Sequence, residues 1–199
     1  GEHAIVHGHL GSTAAIYLSI AKKYGRYAIA HSHSTGGNLP YRLFAYPTRF
    51  VADHFFACSS DAGISRYGRK IGSDSNRCTV LKNAIDTEKF VYNEAFRHQI
   101  RSSLGIRDDV LVIGHVGQFR SEKNHAFLLE VLRAMRAVAS DAVLLLIGDG
   151  PLRMEIESAI AEKGLENCVY LAGSKSDVWN YYQAMDVFVL PSRFEGVPM

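Results

Sequence analysis

The chain is poor in cysteine, has no long apolar run and carries almost no excess charge. Its three cysteines, Cys58, Cys78 and Cys168, are scattered and never in a CxxC spacing. That argues against a disulfide framework or a zinc ribbon and suits a reducing, cytoplasmic setting. No apolar run reaches the ~20 residues that a membrane-spanning helix needs. The formal net charge is +2, so there is no global electrostatic case for nucleic acid, and any anion has to be bound locally. Neither GxxxxGK[ST] nor GxGxxG occurs, which leaves an ATPase P-loop and a dehydrogenase fingerprint unsupported.

What is present is 47% hydrophobic and 21% charged residues, ample material for a core. Short apolar runs alternate with amphipathic stretches. "HAIVHGH", "RYAIAHS" and "HFFACSS" read as strands, and "RCTVLKNAID" as a last extended piece of the first half. A helix is expected over Ser12 to Tyr24 on an Ala15, Ile16, Ser19, Ile20 face, and a short one over Asp61 to Gly68. The second half holds a helix from Asn93 to Leu104 closed by Gly105, then "VLVIGHVG", "AVLLLIGDG", "CVYLAG" and "VFVLPS" as strands. Helices lie between them, on Phe127, Leu128, Val131, Leu132 and Met135; on Leu152, Ile156, Ala159 and Ile160; and over Asp177 to Met185. Strand–helix alternation with short loops predicts parallel sheets of the doubly wound α/β class. Ligands of that class sit at the carboxyl ends of the strands.

Those ends carry the candidate chemistry. "VGQFRSEKNH" leaves a buried strand, turns at Gly117 and enters a helix near Asn124. The helix N-terminus suits a phosphate, with Lys123 and Arg120 adding charge; the plainer reading is a tight turn with solvated cations. In "LLLIGDGP", Gly148 and Gly150 permit a sharp turn or a close approach to a ligand, while Asp149 reads as structural. Gly173 ends a strand, Ser174 and Lys175 form its lip, and Ser176 or Asp177 can cap the next helix. In "PSRFEGVPM", Glu195 follows a buried strand, where a carboxylate is costly unless it meets solvent or a polar ligand; capping a later helix is the alternative. His7, His9, His31 and His33 fall at strand ends. A metal is not expected there, because HxH in one strand puts two rings on one face without supplying further ligands; a histidine that contacts substrate fits better. In "YRLFAYPTRF", Arg42, Tyr46 and Arg49 could meet an anionic lipid surface, but a packed helix with solvated arginines is the favoured reading.

In this order, "IAHSHST", "NAIDTEKF", "IGHVGQFRSEKNH", "LLLIGDGPLR" and "AMDVFVLPSRFEGVPM" resemble the GT4 family of GT-B glycosyltransferases, closest to the bacterial enzymes of capsule and exopolysaccharide synthesis. The resemblance covers nearly the whole chain and is most specific from Val110 to Met199. It implies two Rossmann-like doubly wound parallel-sheet domains, both incomplete. Residues 1–88 would be the C-terminal part of the acceptor-side domain, and 89–199 the N-terminal part of the nucleotide-sugar donor domain. "FEGVP" opens a family motif of two spaced glutamates. Glu195 would be the first and the second would fall beyond Met199, so the chain is expected to be the centre of a two-domain enzyme.

The resemblance further implies transfer of a sugar from a nucleotide-sugar, with UDP the family's prior, to a glycan or lipid-linked acceptor, with retention at the anomeric carbon. No cofactor and no metal are expected, since the family generally lacks a metal-binding DxD. Lys123 matches its phosphate-binding lysine and Gly117 its close-approach glycine. Gln118 departs from the usual arginine, and Arg120 could compensate. Glu195 would lie near the donor sugar, with Gly196 and Val197 offering backbone to the phosphates, and Gly173 and Ser174 near the nucleobase. His33, with His9, would stand on the acceptor side, His33 orienting rather than acting as a base. The expected place is the cytoplasm, with peripheral contact at the inner face of the membrane. A sugar-nucleotide-binding subunit without activity and a nucleotide-sugar epimerase are the alternatives.

Overall fold

The computed structural model describes residues 3–9, 13–33, 43 and 46–193. The chain divides between Ile85 and Asp86 into two compact units.

The first unit runs β1 (Ile5–Gly8), α1 (Ala14–Lys23), β2 (Tyr27–Ser32), α2 (Thr48–Val51), β3 (His54–Ala57), α3 (Ser60–Tyr67), α4 (Arg69–Gly72) and β4 (Cys78–Val80). Its strands pair in parallel in the order β1-β2-β3-β4. Leu18, Ala28, Ala30, Phe55, Ala57 and Ala62 are buried between sheet and helices. The Oγ of Ser59 accepts the Ala62 N–H at 3.1 Å and starts α3.

Helix α1 turns a different face inward from the one expected. Ala14, Leu18 and Ala21 are buried, whereas Ile16 and Ile20 are 67% and 54% exposed. Both stripes have helical spacing, so periodicity alone could not choose between them. "YRLFAYPTRF" also differs in detail. Arg49 is not simply solvated: its guanidinium lies 4.8 Å from the centre of the Tyr46 ring and donates to the Arg66 carbonyl at 3.2 Å. Arg42 is outside the described residues. All three cysteines are buried and free.

The second unit opens with a 3-10 turn (Thr87–Phe90) and continues α5 (Glu94–Leu104), β5 (Val112–Val116), a 3-10 turn (Ser121–Lys123), α6 (His125–Arg136), β6 (Val143–Ile147), α7 (Arg153–Glu162), β7 (Val169–Gly173), α8 (Val178–Ala184) and β8 (Val187–Phe188). Asn93 caps α5 by accepting the Phe96 N–H at 3.1 Å, and Gly105 ends it in the left-handed conformation at φ 69°. The parallel sheet is ordered β7-β6-β5-β8. Strand β6 is buried along its whole length, as a central parallel strand covered on both faces must be. Its apolar side chains contribute about 1.5–3 kcal/mol each. On α6 the buried residues are His125, Leu128, Leu129 and Leu132, while Phe127 is half exposed. Among the described residues no helix is long and apolar enough to cross a membrane.

Strands β5, β6 and β7 are laid down in one direction, and β8 then returns to the other side of β5. The order reverses between β5 and β8. In an open parallel sheet this is the point where the loops part and leave a crevice beyond the carboxyl ends.

Candidate functional site

The loops that follow β5, β6 and β7 are stitched together by their backbones. Gly117 N–H donates to the Ile147 carbonyl at 2.9 Å, Phe119 N–H to Asp149 at 3.0 Å, and Gly148 N–H to Gly173 at 2.9 Å. The two glycines of "GDG" make this approach possible. Gly148 has φ 135°, and a Cβ there would lie 2.0 Å from the Gly117 carbonyl oxygen; one on Gly150 would lie 2.6 Å from that of Phe119. What approaches these glycines closely is therefore the neighbouring loop. Asp149 braces the turn, accepting from the Gly150 N–H at 2.7 Å and the Arg153 guanidinium at 3.3 Å.

The loop after β8 is tied to the loop after β5. His115 Nδ1 and the Val189 carbonyl are 2.9 Å apart, the Asn124 amide donates to Pro191 at 3.4 Å, and Arg193 N–H donates to Glu122 at 2.9 Å. Asn124 sits at φ 54° and turns the chain from the 3-10 turn into α6. Gly117 and Lys123 come together here. A Cβ added to Gly117 would stand 2.8 Å from His115 Nε2 and 3.4 Å from Lys123 Cδ, so the bare α-carbon faces a lysine stem beside a helix entrance. Gln118 and Arg120 are exposed on the same loop and Lys123 is half-buried. Gly173, at φ 72°, and exposed Ser174 end β7 farther along the same sheet edge. Asp177 precedes α8, but its carboxylate accepts from the Asn180 side chain at 3.2 Å and not from a backbone N–H. Glu195, Gly196 and Val197 lie outside the described residues.

Two histidines of this region were not singled out from the sequence. His125 opens α6 almost fully buried, edge-on to Phe119 and His115. Burial, with His115 and Lys123 nearby, lowers its pKa to about 4, so the ring is neutral at ordinary pH. The hint was the histidine already present at the end of "RSEKNH".

A buried ion network fixes β8 in place. Arg101 is fully buried and donates to the carbonyls of Ala184, Arg107, Asp108 and Val110 at 2.9–3.1 Å, and to the Asp186 carboxylate at 2.7 Å. Asp186 also accepts from Arg97 at 2.6 Å and from the Val112 N–H at 2.7 Å. Burial pushes the Asp186 carboxyl up, but these three donors outweigh it and hold it below the ordinary value. The network joins the residue before β8 to the first residue of β5.

In the first unit, the ladder that pairs β1 with β2 brings the two HxH sequences side by side. His7 Nε2 lies 3.2 Å from His31 Nδ1, and His9 Nδ1 lies 2.8 Å from His33 Nε2. The expectation that no further ligands are supplied overlooked the neighbouring strand. One ligand atom each from His7, His9 and His31 lie within 4.8 Å of one another. Burial and the surrounding rings lower the His31 pKa to about 4.

The second unit is thus a parallel α/β domain whose strand order reverses between β5 and β8. Its sequence matches the family "Glycosyl transferases group 1" over residues 96–199, more than half of the chain, and the chain belongs to that family. It is 33% identical over 208 residues to the EpsF protein of Bacillus subtilis (strain 168), covering 100% of this chain and 54% of that protein. It is 29% identical over 129 residues to the UDP-Gal:alpha-D-GlcNAc-diphosphoundecaprenol alpha-1,3-galactosyltransferase of Escherichia coli, covering 63% of this chain and 33% of the enzyme. The crystal structure of Anabaena HepE in complex with UDP and glucose superposes with a TM-score of 0.82 at 18% identity, over 95% of this chain and 52% of that one. The catalytic domain of Starch Synthase IV from Arabidopsis thaliana, bound to ADP and acarbose, does so with a TM-score of 0.72 at 14% identity, over 98% and 53%. The fold is the GT-B type. The chain spans about half the length of these solved structures and of EpsF.

Proposed function

We propose that the full-length protein is a retaining glycosyltransferase that moves a sugar from a UDP-sugar to a glycan or lipid-linked acceptor hydroxyl in cell-surface polysaccharide synthesis. The observation that carries this reading is the reversal of strand order between β5 and β8 within the family-matched residues, with Gly117 and Lys123 side by side at the entrance of α6. The E. coli relative, by its name, acts with a UDP-sugar on a diphosphoundecaprenol-linked acceptor, and HepE was crystallised with UDP. An acceptor of that kind works at the inner face of the membrane, with the enzyme in the cytoplasm and in peripheral contact.

In the proposed reaction the bond from the anomeric carbon to the diphosphate oxygen breaks, and a bond to the acceptor oxygen forms on the same face. The leaving phosphate oxygen takes the acceptor proton, so no separate base is needed. Lys123, the N–H groups at the start of α6 and exposed Arg120 stabilise the growing diphosphate charge without a metal ion. Gln118 donates a hydrogen bond where the family usually has a full charge. Gly173 and Ser174 edge the nucleobase; Glu195, Gly196 and Val197 complete the sugar and phosphate contacts. His33 orients the acceptor.

The test is turnover of UDP-sugars by the full-length protein, followed as UDP release with and without acceptor. Acceptor-dependent release that disappears in Lys123→Ala supports the assignment, and unchanged turnover in that variant refutes it for Lys123. Gln118 favours one second reading, a binding subunit without activity; UDP bound by the full-length protein without turnover would establish it. Epimer formed without acceptor would indicate the third class.

A further inference from the structure

Four histidines crowd the ends of β1 and β2. Their ring centres are 4.0–5.2 Å apart along the chain of contacts from His7 and His9 to His31 and His33. The ring of Phe56 stands edge-on to both His7 and His31. We propose that His7, His9 and His31 bind one divalent transition-metal ion of the zinc class, with His33 orienting His9 from outside the coordination sphere.

Distance and burial both support it. A tetrahedral ion with metal–nitrogen bonds of about 2.0–2.1 Å holds its ligands about 3.3 Å apart. His7 Nε2 and His31 Nδ1 are already 3.2 Å apart, and the third ligand atom falls within the 4.8 Å group. His31 is only 6% exposed, so its ring forms the buried base of the cluster.

The donor set selects the ion. Imidazole nitrogens suit zinc, nickel, copper and cobalt, whereas magnesium and calcium prefer oxygen. Three protein ligands leave a fourth position for water, the composition of an open site. His33, 2.8 Å from His9 Nδ1, stands where ligating histidines commonly keep a partner on the other ring nitrogen, and Phe56 supplies an apolar side. The inference does not rest on the transferase reading, since metal binding is measured without turnover.

The experiment is titration of the tag-free full-length protein with zinc chloride by calorimetry, and with cobalt chloride by visible absorption. One ion per chain and tetrahedral cobalt bands are expected. His7→Ala and His9→Ala, both at exposed positions, should each weaken binding more than about tenfold, since losing a ligand costs at least as much as losing an outer partner. His33→Ala should weaken it less, and His98→Ala, in the other unit, not at all. Circular dichroism checks that each variant is folded. No saturable binding, or binding unchanged in folded His7→Ala and His9→Ala, would overturn the proposal. Should His31→Gln fail to fold, those two variants still decide it.

Discussion

Replacing Arg101 with methionine should unfold the second unit more easily than any other conservative change in it. The substitution keeps the apolar stem and removes five hydrogen bonds. Breaking a buried ion pair from one side costs about 3–5 kcal/mol. Asp186 keeps Arg97 and the Val112 N–H, which moderates the loss. The Ala184 carbonyl, left without this donor, costs about 1–3 kcal/mol and offsets that moderation. We expect about 3–5 kcal/mol in all. With a urea dependence of about 1.5–2 kcal/mol per molar, the midpoint should fall by about 1.5–3 M. The only tryptophan, Trp179, lies on α8, so its fluorescence follows this unit separately from the first. The amides of Asp186 and Val189, which bond to Val112 and Gly114 of β5, should lose hydrogen-exchange protection at the same time. A loss below about 1 kcal/mol with an unchanged slope would refute the reasoning, because it would mean that desolvation of the guanidinium cancels its bonds.

Other tests address the loops after β5 and β6 and their supports. In the full-length protein Lys123→Ala should weaken UDP binding, seen by calorimetry, by about 1.5–3 kcal/mol, the value of one charge-assisted contact. Gln118→Arg should tighten UDP binding in the same assay if the diphosphate lies over this loop. Gly148→Ala should cost at least about 2 kcal/mol by urea denaturation, because its φ of 135° and the Gly117 carbonyl oxygen both oppose a side chain. His125 gives an acid-sensitive element. Its folded pKa of about 4 lies below the ordinary 6.5, so the unfolded chain takes up a proton first as pH falls. Stability present above pH 6.5 therefore drains away between 6.5 and about 4; Trp179-detected unfolding of His125→Gln should lose that slope.

Most of the element order could be read from the sequence, and the reason is local. "VLVIGHVG" is a short continuous apolar run of the length of a covered strand, and Asn93 and Gly105 carry their helix boundaries in their own chemistry. The "GQFRSEKN" loop was recognisable because a glycine turn, a lysine and a helix start follow one another along the chain. Less of the site was legible. Two stripes of α1 share a helical period, and only docking on the sheet chose Ala14, Leu18 and Ala21. "GDG" looked like a turn or a ligand contact until the loop after β5 was found pressed against both glycines.

The sequence by itself determined that this is an alternating α/β chain, with its glycines and cations in the loops after the strands. Only the tertiary structure decided that β8 crosses to the far side of β5, that Arg101 and Asp186 hold it there, and that the two HxH segments face each other across β1 and β2. Those decisions depend on strand register and on order in the sheet. They join residues tens of positions apart, so no periodicity within a single element can encode them.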